Sequence, residues 1–210
     1  MMKQLFSIGI GFLAILSVDI SLAYQAPMTP ETALERLMEG NDRFVNDKSL
    51  CPARTQARRL ASSLKQKPFA IILGCSDSRV PPELAFDQGI GDLFVVRVAG
   101  NVVGDTEIDS VTYSALYNGS SIVVVLGHES CGAVSAVLEN KAHDIPSVET
   151  FIRPAIDDSH DLNNAIKANI QHSVNEIKTA PAIASLVKAG KLKVVGAYYQ
   201  LKTGKITFLE

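Results

Sequence analysis

Hydrophobic residues in this chain form short continuous runs separated by stretches with helical periodicity. Three runs, "FAIILG" at 69–74, "DLFVVRVAG" at 92–100 and "SIVVVLG" at 121–127, are apolar at successive positions rather than at alternate ones. The first of these runs is typical of a strand that is covered on both faces, and the other two predict the second and third strands. Two more runs, at 192–200 and 205–210, predict a fourth strand and an antiparallel fifth strand joined by the turn "LKTGK".

Helical patterns fill most of the remaining chain. A helix is predicted from Pro30 with Thr29 as its N-cap, and a long amphipathic helix is predicted over 161–178. Further helices are predicted in 53–68, 81–86, 106–119 and 131–140. Segment 139–159 is polar and contains prolines, which indicates loops and short helical turns. We therefore predict an α/β fold with a mainly parallel four-stranded sheet, an added antiparallel edge strand and flanking helices.

Two chemically reactive stretches directly follow predicted strands. "GCSDSR" follows the first strand, and "GHESCG" follows the third. In parallel sheets, ligands bind at the carboxyl ends of strands where the strand order reverses. If the first and third strands are neighbours, the two stretches meet at that edge.

Length and charge restrict the class of protein. With 210 residues, 47% of them hydrophobic, the chain can build one well-buried domain. The formal net charge is -2, and acidic and basic residues are interspersed. Because no basic stripe is present, nucleic acid is not expected as a partner.

The first 23 residues have the pattern of a secretory signal peptide. Lys3 precedes an apolar stretch from Leu5 to Val18, and Ser21 and Ala23 occupy the small-residue positions of a cleavage site. An uncleaved membrane anchor is the alternative, but the stretch is short for a hydrocarbon core of about 30 Å. We expect cleavage after Ala23, a single mature domain over 24–210, no stable membrane insertion after cleavage, and a periplasmic or secreted location.

The two reactive stretches together carry a set of metal ligands. The extended segment after the first strand carries Cys75, Asp77 and Arg79 at every second position. Their side chains are therefore expected on the same side of that segment. His128 and Cys131 are spaced to converge if a helical turn begins there. Two thiolates and one imidazole suit a tetrahedral Zn²⁺ and leave its fourth position open. Water bound there has its pKa lowered toward about 7, which makes a hydroxide nucleophile available.

Other interpretations remain open for these residues. Taken singly, a buried cysteine or histidine is more often part of a core, and Asp77 with Arg79 could be a surface ion pair. The chain has three cysteines, Cys51 among them, and export would favour a disulfide between Cys75 and Cys131. A non-enzymatic, disulfide-stabilised ligand-binding module is therefore the alternative from another class. That alternative leaves His128 without a role.

The motifs "CSDSRVPPE", "FVVRVAGN" and "GHESCGAV" together resemble the β-class carbonic anhydrases, and the similarity extends from about Pro30 to the C-terminus. The resemblance implies one Zn²⁺ per chain, held by Cys75, His128 and Cys131. It also implies that Asp77 and Arg79 form the catalytic dyad. The reaction would be the reversible hydration of carbon dioxide to bicarbonate and a proton by a metal-bound hydroxide.

The same resemblance carries further expectations. In a closed form of the site, Asp77 would serve as the fourth metal ligand. Gln88 corresponds to a glutamine that faces the substrate in plant-like members. A homodimer or homotetramer is expected. Close relatives hydrolyse carbon disulfide or carbonyl sulfide on the same zinc site, so that reaction is the alternative activity.

Overall fold

The computed structural model describes residues 28–156 and 161–209. Segment 1–23, predicted as a signal peptide, lies outside this part of the chain. Among the described residues, none of the helices combines the length and the apolar character that crossing a membrane requires.

A single five-stranded sheet forms the centre of the described chain. Its strands, in chain order, are β1 (Ala70–Gly74), β2 (Leu93–Arg97), β3 (Ile122–His128), β4 (Lys193–Tyr199) and β5 (Ile206–Leu209). They lie in the order β2-β1-β3-β4-β5, and all neighbouring pairs are parallel except β4 with β5. The predicted fold class is confirmed, and β1 and β3 are neighbours. The carboxyl ends that precede the two reactive stretches therefore lie side by side.

Eight α-helices connect and cover the described strands. They are α1 (Pro30–Val45), α2 (Gln56–Ser62), α3 (Pro82–Ala85), α4 (Asp105–Tyr113), α5 (Gly132–Leu138), α6 (Pro146–Ile152), α7 (Leu162–Thr179) and α8 (Pro181–Lys188). Thr29 caps α1 as predicted, because its Oγ1 accepts a hydrogen bond from the Thr32 N–H at 3.2 Å. After a π-turn, the α4 segment closes at Gly119 with a φ of 76°, which glycine adopts without strain.

Two helices differ from the prediction. The helix predicted over 53–68 is confined to α2, because Ala53 has a positive φ of 51° and Thr55 caps the helix just after it. Helix α8 was not predicted, although Pro181 at its first position is a helix-start signal. Neither difference moves a strand.

The helices cover the sheet on both faces. Helices α1 and α3 pack on one face against Ala70 and Ile72 of β1, and α4 to α8 pack on the other against Ile71 and Leu73. Every residue of β1 and β3 is buried, as the continuous apolar runs predicted. The core is thus split into two apolar layers, one on each side of the sheet.

Helix α7 lies unusually close to strands β3 and β4. A Cβ on Gly127 would be 2.5 Å from Ile170 of α7, and a Cβ on Gly196 would be 2.7 Å from the same residue. Since such contacts are not tolerated, the two glycines permit the close approach. The helix is thereby fixed against the strand that ends in His128.

A buried carboxylate fastens the segment after α1 to the turn before β2. The Asp87 side chain is fully buried, and its Oδ2 accepts a hydrogen bond from Arg43 Nε at 2.7 Å. The N–H groups of Leu50 and Cys51 donate to the same carboxylate, each at 3.0 Å. Burial opposes the charge, but these donors outweigh it and hold the pKa of Asp87 below its usual range.

We expect Asp87→Asn to lower the free energy of unfolding at pH 7 by about 2–3 kcal/mol, because charge-assisted hydrogen bonds are lost. The φ of 45° at position 87 suits asparagine, so backbone strain does not contribute. Since the folded-state pKa is lowered, the advantage of the carboxylate is present above its unfolded pKa, about 4, and is lost as pH falls through the folded value.

Urea unfolding of both proteins over this pH range measures that advantage. The exposed Asp42 is the matched control, and Asp42→Asn should unfold like the wild type. A difference between wild type and Asp87→Asn that stays constant down to the lowest pH would contradict this account of Asp87.

Candidate metal centre

Cys75 is the first residue after β1 and continues the face of Ile71 and Leu73. It is 6% exposed. The Gly100 N–H donates a hydrogen bond to its Sγ at 3.3 Å. Strand β1 therefore delivers a buried sulfur to the carboxyl edge of the sheet, on the side covered by α7.

His128 is the last residue of β3 and is completely buried. Its Nδ1 lies 2.8 Å from the backbone oxygen of Glu129. Because a carbonyl oxygen only accepts, Nδ1 must carry the proton, and Nε2 is left with a free lone pair. Nε2 has no hydrogen-bond partner among the described residues. A histidine oriented through one nitrogen, with its other nitrogen bare, is what metal ligation requires.

Cys131 returns to the same place through a tight turn. Ser130 has a positive φ of 54°, and Cys131 then serves as the N-cap residue of α5. Its side chain is 1% exposed. The spacing from His128 thus brings both side chains back to one edge of the sheet, as the sequence predicted.

The three ligand atoms of Cys75, His128 and Cys131 all lie within 4.8 Å of one another. Both cysteines are free in this structure, so the disulfide of the alternative interpretation is not formed. Two sulfurs and an unpartnered imidazole nitrogen are a donor set that zinc prefers. The residues therefore fit a zinc ion.

The two cysteine sulfurs shift each other's pKa in opposite directions. The contact with Cys131 holds the pKa of Cys75 far below the usual range of a thiol against the opposing effect of burial, and the neighbouring His128 ring lowers that pKa further. The same non-covalent contact between the two side chains, together with burial, raises the pKa of Cys131. These opposite shifts favour one thiolate and one thiol in the pair. A zinc ion held by both sulfurs as thiolates would displace the remaining proton.

Asp77 and Arg79 form a closed ion pair beside this cluster. Arg79 donates from Nε to Oδ1 at 2.9 Å, from Nη2 to Oδ2 at 2.7 Å and from its backbone N–H to Oδ1 at 2.9 Å. These bonds, the side-chain ones first, hold the pKa of Asp77 well below its usual range. The carboxylate is thus ionised at neutral pH.

The ion pair reaches the cluster through one carboxylate oxygen. Asp77 Oδ2 lies 3.8 Å from His128 Nε2. The group of mutually close ligand atoms comprises the two sulfurs and the imidazole nitrogen, and Asp77 is not part of it. That Asp77 acts as a fourth metal ligand in a closed form of the site stays a prediction.

Gln88 lies apart from these residues. It is 2% exposed, its Oε1 accepts a hydrogen bond from Arg36 Nε at 3.0 Å, and its Nε2 donates to the Phe86 oxygen at 2.8 Å. Arg36 belongs to α1, which covers the face of the sheet opposite to Cys75. Within the described chain, no hydrogen bond joins Gln88 to the cluster. A substrate-facing role for Gln88 stays a prediction.

Sequence reasoning missed Arg97, which shapes the backbone of the site. Arg97, the last residue of β2, donates from Nε to the Cys75 oxygen at 3.0 Å and from Nη2 to the Asp77 oxygen. It therefore fixes the backbone of the segment that carries Cys75, Asp77 and Arg79. An arginine at the end of the apolar run "LFVVR", at the same edge of the sheet, was the available signal.

Comparison with known proteins places this geometry in a family. Residues 70–206 match the family model described as "Carbonic anhydrase". Carbonic anhydrase 2 of Mycobacterium tuberculosis is 35% identical over 189 residues, which cover 84% of this chain and 91% of that protein. The carbonic anhydrase of Mycolicibacterium smegmatis is 36% identical over 192 residues, 84% of this chain and 92% of the relative.

Solved structures show the same fold. A Coccomyxa β-carbonic anhydrase in complex with acetazolamide superposes with a TM-score of 0.68 at 25% identity, over 84% of this chain and 86% of that one. The β-carbonic anhydrase CcaA gives a TM-score of 0.66 at 26% identity, over 84% and 95%. With the family match spanning most of the chain and the cluster of Cys75, His128 and Cys131 inside it, this chain belongs to the β-class carbonic anhydrases, a family of enzymes.

Proposed function

We propose that this chain catalyses the reversible hydration of carbon dioxide to bicarbonate and a proton, with one Zn²⁺ per chain held by Cys75, His128 and Cys131. The convergence of two buried sulfurs and a bare imidazole nitrogen within 4.8 Å, next to an ion-paired carboxylate, carries this proposal. Zinc with three protein ligands supplies an open position and lowers the pKa of water there to about 7.

In this proposal, Asp77 orients a hydroxyl group that lies beside its carboxylate. An ionised carboxylate only accepts hydrogen bonds, so a hydroxyl group beside it directs its proton at Asp77 and its lone pair elsewhere. Arg79 keeps the carboxylate ionised and fixed by two side-chain bonds. Arg97 fixes the backbone of the same segment through the Cys75 and Asp77 oxygens. Together they hold the acceptor in one place beside the metal ligands.

The hydration rate of the purified protein, measured before and after removal of zinc with a chelator, tests this function. We expect the rate to fall in proportion to the zinc removed and to return when zinc is added. Carbonyl sulfide and carbon disulfide are offered to the same preparation. Faster turnover of either gas than of carbon dioxide, or hydration that is indifferent to zinc, would contradict the proposal.

We propose that the enzyme assembles as a homodimer or homotetramer. β2 is an edge strand of the sheet, with four of its five residues only half buried. Phe94 of this strand forms a row of rings with Tyr113 and Tyr117, with successive centroids 6.2 and 5.4 Å apart, and Tyr117 is 72% exposed. An exposed apolar row along an open strand edge suits a protein contact. Two β-carbonic anhydrases of Sordaria macrospora are described as tetrameric.

Light scattering after size exclusion gives the mass directly. We expect at least twice the mass of a single chain, and we expect Tyr117→Glu to shift the mass toward the monomer, since the charge would be buried in the contact. Lys141→Glu, at an exposed position outside the row of rings, serves as the control and should keep the wild-type mass. A monomeric wild type would contradict the assembly.

We propose that the enzyme is exported and that cleavage follows Ala23. The support is the order of Lys3, the apolar stretch from Leu5 to Val18, and the small residues Ser21 and Ala23. Mass spectrometry of the protein recovered from a periplasmic extract should give a chain that begins at Tyr24. An intact N-terminus in the cytoplasmic fraction would contradict export.

A further inference from the structure

A short turn after β2 supplies the hydrogen bond to the Cys75 sulfur. The turn, Ala99–Asn101, places the Gly100 N–H 3.3 Å from Sγ. Gly100 has a φ of 69° and Asn101 a φ of 46°, so both residues are left-handed. Asparagine tolerates this region better than most residues, but two such residues in succession must be stabilised by their surroundings.

Two polar side chains of α7 provide that stabilisation. Asn169 Nδ2 donates to the Gly100 oxygen at 2.7 Å, and Ser173 Oγ donates to the Asn101 oxygen at 3.0 Å. Both side chains are buried, with exposures of 0% and 1%. They stand one helical turn apart, on the face of α7 that also buries its apolar residues. Each satisfies a backbone oxygen that would otherwise be buried without a partner.

Apolar packing closes the turn from the other sides. A Cβ on Gly100 would lie 2.8 Å from Ile152 of α6 and 3.3 Å from Ala133 of α5. Helix α7 itself is held against β3, where Gly127 allows Ile170 to approach. The same helix therefore fixes the turn that faces the Cys75 sulfur and packs on the strand that ends in His128.

We propose that Asn169, assisted by Ser173, is a positioning residue of the metal centre. By fixing the Gly100 carbonyl, it aims the Gly100 N–H at the Cys75 sulfur. The hydrogen bond from the Gly100 N–H withdraws electron density from the Cys75 thiolate. It therefore influences how strongly that sulfur donates to the metal. Partners of metal ligands typically contribute about 10- to 100-fold in metal affinity or activity. This inference rests on the zinc site proposed above.

Replacing zinc with cobalt allows the electronic state of the Cys75 sulfur to be measured. The energy of the thiolate-to-cobalt charge-transfer absorption depends on the energy of the sulfur lone pair. In Asn169→Ala, the lost hydrogen bond should raise that energy, so the absorption is expected at lower energy than in the wild type. Zinc affinity, measured by competition with a chromophoric chelator, should fall by at least about tenfold, because the turn no longer holds the Cys75 sulfur in place and this loss outweighs the stronger donation. Ser173→Ala should move both readouts in the same direction by less.

Val174→Ala is the matched control. Val174 lies on the same helix, is 2% exposed and has an apolar side chain that cannot bond to the turn. If α7 acts only through fold stability, Val174→Ala and Asn169→Ala should both lower the melting temperature and leave the absorption unchanged. That outcome would overturn the inference.

A second variant and the wild-type cobalt spectrum separate the possible outcomes. Should Asn169→Ala fail to fold, Ser173→Ala decides alone, and an unshifted absorption with wild-type zinc affinity would overturn the inference. A wild-type protein that takes up cobalt without any thiolate absorption would overturn the proposed metal centre as well. A wild-type absorption that the α7 variants leave in place would overturn the positioning role only.

Discussion

Serine in place of Cys131 is expected to abolish zinc binding and carbon dioxide hydration together. The serine side chain has nearly the size of cysteine, so the buried position is filled and the fold is retained. Its hydroxyl stays protonated at neutral pH, however, and replaces a thiolate donor that zinc prefers. Changes in groups that merely support a ligand cost about 10- to 100-fold in affinity. Loss of a ligand itself should exceed that range.

Zinc per chain, determined by elemental analysis after gel filtration, and the hydration rate should both fall to near background in Cys131→Ser. Cys51→Ser provides the matched control, since Cys51 is exposed and lies outside the ligand group. It should retain one zinc per chain and the full rate. Stoichiometric zinc in Cys131→Ser would show that this sulfur is not a ligand.

Asparagine in place of Asp77 is expected to lower the rate of carbon dioxide hydration without loss of zinc. Zinc should stay bound, because the three ligand atoms of the cluster are unchanged. Hydration should fall by about 100-fold or more, since a neutral amide presents donors where the site needs a charged acceptor held by Arg79. Stopped-flow hydration rates beside zinc content measure both effects.

Asp144→Asn is the control for this change. Asp144 is an exposed aspartate whose side chain is 91% accessible, away from the ligand group. Its replacement should leave zinc and rate unaltered. Zinc lost together with activity in Asp77→Asn would instead make Asp77 a required ligand, and an unaltered rate would remove it from the catalytic dyad.

The fold was largely predictable because its central strands, β1 and β3, are buried on both faces. A strand such as β3 is seven buried residues in a row, and a short apolar run bounded by turn residues is typical of such a strand. The cluster of candidate metal ligands was predictable for a related reason. Cys75, His128 and Cys131 lie at or just after the ends of β1 and β3, and parallel neighbours bring such ends together.

The supporting residues could not be predicted in the same way. Arg97 and Asn169 act on backbone oxygens of distant segments, and a bond to a backbone group leaves no mark on the sequence of its partner. The hydrogen bonding of buried Gln88 depends on Arg36, which is 52 residues away in the chain. Such contacts arise only once the layers are packed, whereas the ligand pattern is carried by the strand ends themselves.

X-ray absorption at the zinc edge, recorded on the purified protein in a state shown to hydrate carbon dioxide, determines whether Cys75, His128 and Cys131 hold the metal. We expect two sulfur neighbours at about 2.3 Å and a nitrogen neighbour at about 2.0 Å, in a four-coordinate shell. A shell without sulfur, or a disulfide between Cys75 and Cys131 in protein that remains active, would contradict this prediction.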